Sequence, residues 1–165
     1  MTMKAHKQYE FWMEGRHIGV SISGFVLKEL LAECKKSNQY ETGGVLWGKY
    51  NDARTVAQVT GLSGPPRDSR HGGFSFKRGI AGLQKMVDAL WNAPVRRYYL
   101  GEWHFHPFAS PEPSSVDIAQ MQKHAADQKL QCPEPILIVL GGDPRREWSV
   151  SVSVFTRSGL RFRLT

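Results

Sequence analysis

Gly101-Glu-Trp-His-Phe-His-Pro-Phe-Ala-Ser-Pro-Glu-Pro-Ser-Ser-Val-Asp117 is the stretch on which the reading of this chain turns. His104 and His106 stand one residue apart, and Pro107 ends the element that carries them. Tyr98 to His106 is rich in aromatic and other β-favouring residues and reads as a strand. Residues i and i+2 of a strand project to the same face, so both imidazoles would stand side by side near its end. Ser114 to Lys129 reads as a helix, with Asp117 in its first turn, where a carboxylate gains from the helix dipole. Two imidazoles and a carboxylate make a tetrahedral zinc site with one position open to water, the form a hydrolytic zinc takes.

Each part has a plainer explanation. Histidines near a strand end can be ordinary polar packing, and Ser114-x-x-Asp117 ahead of apolar residues can be only a capping box. The whole set, His-x-His-Pro followed by a short loop and Ser-x-x-Asp, argues for the metal.

These residues resemble the JAMM (MPN+) zinc metalloprotease motif: His104-Phe105-His106-Pro107, the Pro-rich loop to Pro113, then Ser114-x-x-Asp117. The family pattern also has an upstream glutamate, often before paired glycines, and the chain has Glu41-Thr42-Gly43-Gly44. The resemblance spans about Gly19 to Val154. Phe105 departs from the usual Ser or Thr, but on a strand it would face away from the metal. What the resemblance implies is His104, His106 and Asp117 as ligands of Zn2+, Glu41 as general base and Ser114 as oxyanion donor. Zinc would lower the pKa of its water toward ~7. Glu41 would take the proton and pass it to the leaving amine, and the Ser114 hydroxyl would support the developing oxyanion, worth ~3 kcal/mol in comparable sites. The substrate implied is a ubiquitin-like modifier, or another conjugated protein, cut after its C-terminal tail. The closest likeness is to compact bacterial deconjugating peptidases, encoded beside E1- and E2-like enzymes in CBASS-type antiviral operons.

Composition sets the outer bounds. With 165 residues, 41% of them apolar, one domain is expected: an arm over residues 1–16, loose or an edge strand, and a JAMM/MPN domain over 17–165. A net charge of +7 permits an acidic protein or nucleic acid as partner. Cys34 and Cys132 lack zinc-ligand spacing and fit buried thiols in a reducing compartment. The sequence has no apolar run of membrane-helix length and no signal-peptide core, so the expectation is a cytoplasmic protein without a membrane partner.

Along the chain, His17 to Ser21 is a candidate strand. Ser23 can cap a helix to about Lys36 whose apolar stripe is Phe25, Val26, Leu30, Leu31 and Cys34. Val45 to Tyr50 and Thr55 to Leu62 read as a hairpin. Gly61 to Gly79 reads as a loop in which Arg67, Arg70, His71, Lys77 and Arg78 surround Phe74 and Phe76. Arg67, Arg70, Phe74 and Phe76 are candidates for a substrate-channel wall; basic residues among aromatics also suit nucleic acid. His71 has no evident partner. Ile80 to Trp91 reads as a helix with Leu83, Met86, Val87 and Leu90 on one face. Glu102 shares the parity of the histidines, a candidate partner for a ligating imidazole and the alternative general base. In the helix from Ser115, Ile118, Met121 and Ala125 form a stripe and His124 reads as solvated. Ile136 to Leu140 reads as a strand covered on both faces, followed by strands over Trp148 to Phe155 and Leu160 to Leu164.

The pattern predicts an α/β (α+β) single domain. The resemblance sharpens this to a mixed, largely antiparallel curved sheet with about three packed helices. Three alternatives stand beside the protease: a catalytically silent MPN scaffold, a basic nucleic-acid-binding domain, and a zinc deaminase. The last wants His-x-Glu with Pro-Cys-x-x-Cys, which Cys132-Pro133 does not supply. A filled motif disfavours the scaffold, and nothing beyond charge favours nucleic acid.

Overall fold

The apolar run at Ile136 becomes the seam between two cores. In the computed structural model, which describes residues 7–15 and 17–165, it forms strand β8 (Ile136–Gly142). Ile136, Ile138 and Leu140 enter one buried cluster; Leu137 and Val139 enter another with Met121, Ala125 and Phe155. Alternate side chains of a strand face opposite ways, so coverage on both faces demands this unbroken apolar run.

The chain runs β1 (Gln8–Trp12), β2 (Gly19–Ser23), α1 (Gly24–Ser37), β3 (Thr42–Tyr50), β4 (Val56–Leu62), β5 (Arg70–His71), β6 (Phe76–Lys77), α2 (Leu83–Asn92), β7 (Tyr98–Pro107), α3 (Ser115–Ala126), a 3₁₀ turn (Gln128–Leu130), β8, β9 (Trp148–Phe155) and β10 (Arg161–Leu164). Eight strands form one sheet in the order β1-β2-β4-β3-β7-β8-β9-β10. Only β2–β4 and β7–β8 are parallel, so the sheet is mixed and largely antiparallel. Its edges meet: Trp12 and Thr165 exchange backbone hydrogen bonds of 2.9 and 3.0 Å. The sheet therefore curls far enough for the end of its first strand to touch the residue that follows its last.

Helix α1 buries Val26, Leu27, Leu30, Leu31 and Cys34 against one sheet face, and the Ser23 hydroxyl accepts the Val26 amide proton at its start. Helix α3 covers the other face through Met121 and Ala125. Several expectations need correction. Phe25 is 58% exposed, because α1 begins at Gly24 and turns this residue outward. Gln8–Trp12, within the expected arm, pairs antiparallel with β2; Met1 to His6 and Arg16 lie outside the described residues. Gly61 to Gly79 is not a plain loop, since Arg70–His71 and Phe76–Lys77 pair as a short hairpin. The apolar face of α2 is only partly covered, and no residue of that helix is buried.

One irregularity positions the site. Against β3, Leu46 pairs with Gly101 while Trp47 pairs with Tyr99, so β7 holds Leu100 as an extra residue. Gly101 takes φ +146°, and a Cβ there would come within 1.9 Å of the Ile136 carbonyl oxygen. The bulge changes the strand's parity. Leu100 packs into the α1-side core with Trp103 and Phe105, leaving Glu102, His104 and His106 on the opposite face. We expect Gly101→Ala to cost more than about 1 kcal/mol, read as a lower urea midpoint, because both the backbone angle and the contact with β8 forbid the methyl.

Candidate metal centre

His104 and His106 leave the end of β7 toward the first turn of α3, where Asp117 waits. His104 Nδ1 lies 2.8 Å from Asp117 Oδ1 and His106 Nε2 lies 3.3 Å from Asp117 Oδ2. One ligand atom from each of the three residues falls within 4.8 Å of the others, and all three residues are buried. Two imidazoles and one carboxylate converging from different elements suit a tetrahedral metal such as zinc, with a position left for water.

Asp117 is held by its own helix. Ser114 Oγ accepts the Asp117 amide proton at 3.1 Å, and Asp117 Oδ2 accepts the Ser114 amide proton at 2.7 Å. One carboxylate therefore closes the capping box and faces both imidazoles, so a capping role and a metal-binding role are compatible. The loop before it is laid down tightly. Ser151 Oγ donates to the Pro111 carbonyl at 2.5 Å, and a Cβ on Gly141 would meet Ala109 O, Pro111 N and the Ser110 carbonyl carbon at 2.5–2.6 Å.

Burial alone would raise the Asp117 pKa, but the hydrogen bonds of His104 and His106 outweigh it and hold the carboxyl well below its usual range. Burial likewise opposes charging of His104, yet Asp117 and Glu102 push it up to about 9. His106 is raised as well, with Asp117 and Glu41 overcoming its burial.

Glu41 comes to the site through strand register. Thr42 pairs with Phe105 and Gly43 with His104, so Glu41, one residue earlier, lies beside His106. Burial raises its pKa, opposed mainly by the charge of His106. A Cβ on Gly43 would press on Trp103 O at 2.4 Å, the Phe76 ring at 2.7 Å and the His104 ring at 2.8 Å. That explains a glycine where the imidazole crosses the neighbouring strand.

Glu102 faces the same way as the histidines, as its parity suggests, and is 0% exposed. Three further residues were not recognised from sequence. Arg78 Nε donates to Glu102 Oε1 at 2.7 Å. His124, expected in solvent, is only 16% exposed, its Nε2 3.0 Å from Glu102 Oε1 in an approach too oblique for a directional hydrogen bond. His71, which lacked a partner in sequence, has Nδ1 3.0 Å from the Glu41 carbonyl oxygen. His124 stands seven residues after Asp117, two turns on, so helical spacing was a signal for it; no local signal marks Arg78 or His71. Among the channel candidates, Phe76 turns inward, edge-on to His104 at 5.8 Å between ring centres. Phe74 is 97% exposed, and Arg67 and Arg70 are exposed as well.

The sequence model for prokaryotic homologues of the JAB domain matches residues 25–151. This chain belongs to that family. The family assignment agrees with the position of the histidines and Asp117, which all fall inside the matched region. Among relatives, a CD-NTase/cGAS isopeptidase of Enterobacter hormaechei is 40% identical over 158 residues, covering 96% of this chain and 87% of its own. A probable metalloprotease of Sinorhizobium fredii is 29% identical over 121 residues, covering 72% and 73%. The solution structure of a Desulfitobacterium hafniense protein superposes with a TM-score of 0.62 at 15% identity, over 86% of this chain and 87% of that one, a likeness of fold. Among the described residues no helix is long and apolar enough to cross a membrane.

Ser114→Ala should lower stability by about 1 kcal/mol through loss of the cap. Thermal unfolding of the metal-stripped protein measures that cost apart from any effect on metal binding.

Proposed function

We propose that this JAB-family protein is a zinc-dependent isopeptidase of the JAMM type, cutting after the C-terminal tail of a ubiquitin-like or otherwise conjugated protein. The observation that carries the reading is the meeting of His104, His106 and Asp117 with Glu41 beside them across the β3–β7 register. His104, His106 and Asp117 would hold the ion, which when bound acidifies water and polarises the scissile carbonyl.

The chain's own residues supply the rest. Glu41 is half-buried, and its raised pKa brings it closer to neutral pH, which suits a carboxylate that first takes a proton from water and then gives it to the leaving amine. Its backbone is fixed on both sides, the amide donating to Gly72 O at 2.9 Å and the carbonyl facing His71, so the carboxylate works from a rigid base. Ser114 Oγ is occupied as an acceptor by the Asp117 amide. Its hydroxyl proton remains free to support an oxyanion beside the ligands. Neither buried thiol is needed.

The β5–β6 hairpin stands over Glu41 and His104 and forms the wall along which the substrate tail would lie. Arg70 is paired directly across from Lys77, like charges that repel when opposed. With Arg67 they favour a tail or target carrying acidic side chains. The name CD-NTase/cGAS isopeptidase, carried by relatives, supports a conjugated CD-NTase-like protein as the target; the family resemblance adds E1- and E2-like enzymes in a bacterial antiviral pathway in the cytoplasm as the proposed setting.

The deciding experiment measures metal content and cleavage of a ubiquitin-like C-terminal fusion for wild type and Glu41→Gln. About one zinc per chain in both, with cleavage reduced at least ~100-fold in the variant, is the expected outcome. Zinc without cleavage by either protein across a panel of fusions would favour a silent scaffold, and a folded protein without zinc would overturn the reading. In a second test, Arg70→Glu with Lys77→Glu should raise KM for an acidic conjugate by about tenfold and leave kcat within about twofold; an unchanged KM would remove the hairpin from substrate binding.

A further inference from the structure

Glu102 is a carboxylate with no access to water, and the reaction described above has no step for it. It stands two residues before His104 on β7 and faces three cationic or titratable side chains from three elements. Oε2 lies 3.3 Å from His104 Nε2, while Oε1 accepts from Arg78 Nε at 2.7 Å and lies 3.0 Å from His124 Nε2 on α3. The Arg78 side chain is 9% exposed. A charge taken this far from solvent persists only when its partners are well placed, so the cluster is specified as a unit.

We propose that the Glu102–Arg78 pair is a positioning device for His104, and that Arg78 ties the β5–β6 hairpin to the metal-binding edge of the site. This rests on the metal-hydrolase reading and assigns residues that reading leaves without a role. The two nitrogens of His104 face different groups, Nε2 toward Glu102 and Nδ1 toward Asp117. A carboxylate at Nε2 keeps the ring proton there and leaves the Nδ1 lone pair for the ion; it also makes that lone pair more basic. Glu102 therefore selects the tautomer and holds the ring plane. Arg78 keeps the carboxylate in place from its far side.

Arginine is required at position 78. Its Nε donates to Glu102 while Nη1 donates to the Gly79 carbonyl at 2.9 Å. One planar group thus clamps a buried carboxylate and its own backbone, which the point charge of lysine cannot do with the same geometry. Arg78 directly follows β6, so the clamp fixes the base of the hairpin. The hairpin's other contacts reach the same site: Gly72 O and His71 on the Glu41 backbone, and Phe76 against the His104 ring. Its position and the orientation of a metal ligand are therefore set together.

Two measurements test this. Long-range proton–nitrogen NMR of the histidine rings in the zinc-loaded wild type reads the His104 tautomer without any substitution: protonated Nε2 with metal-bound Nδ1 is expected, and the reverse assignment overturns the proposal. Zinc affinity by chelator competition is then compared for wild type, Glu102→Gln, Arg78→Gln and Arg78→Lys. Glu102→Gln should weaken zinc by 10–100-fold, Arg78→Gln in the same direction, and Arg78→Lys should not restore it. Trypsin should cut the hairpin after Arg70 or Lys77 faster in all three variants than in wild type; unchanged cleavage in all three would overturn the tie between the hairpin and the site. Folded Glu102→Gln and Arg78→Gln proteins that bind zinc within twofold of wild type would overturn the inference alone. A wild type that takes up no zinc would overturn the hydrolase reading with it.

Discussion

Everything at the site depends on the change of face that β7 makes at Gly101. A strand has one parity, and a slip of one residue sends every later side chain to the wrong side of the sheet. Leu100, Trp103 and Phe105 all belong to the α1-side core, which an unbroken alternation could not achieve. The extra residue keeps Leu100, Trp103 and Phe105 on the core side while Glu102, His104 and His106 share the opposite face. Glycine is needed there because the backbone angle is positive and β8 leaves no room for a side chain. Had β7 run straight, Leu100 would share the face of His104.

The second constraint is that α3 must deliver Asp117 to both imidazoles at a fixed height. The capping box does this through local hydrogen bonds, and the Pro-rich loop is pinned from outside by Ser151 and by the pairing of Glu112 with Arg163. Since the same carboxylate closes the box and meets His104 and His106, the start of the helix and the cluster of the two histidines with Asp117 cannot be moved independently.

Around this centre the protein accumulates buried charge. Glu102, Asp117, His104 and Arg78 lie within a few residues' reach of one another, and each is tolerated because another is present. Burial would raise the Glu102 pKa, but contacts with His104, His124 and Arg78 more than reverse it and keep the carboxyl ionised. Groups of this kind contribute little net stability compared with apolar packing of the same volume. Their presence is better explained by chemistry than by folding, which agrees with the stable apolar clusters standing on either side of the sheet.

Much of this was legible in the linear chain because the decisive signals are local. The i, i+2 spacing of His104 and His106, the cap at Ser114 three residues before Asp117, and the unbroken apolar run at Ile136 all report geometry over less than one element, and each appears in the structure as the spacing implies. Glu41 was reachable only through its family resemblance, because its place beside His106 comes from pairing β3 with β7, 63 residues apart in sequence by the Thr42–Phe105 match. His71 on the Glu41 backbone and Arg78 on Glu102 were decided by tertiary structure alone, whereas the two-turn spacing from Asp117 already put His124 on the side of the helix that faces the site. A side chain's partner across the fold leaves no trace in local periodicity. The sequence by itself determined which groups could bind a metal and which strand and helix would carry them. The folded sheet decided which face they share and what holds them there, because strand register and the bulge at Gly101 are long-range properties of the backbone.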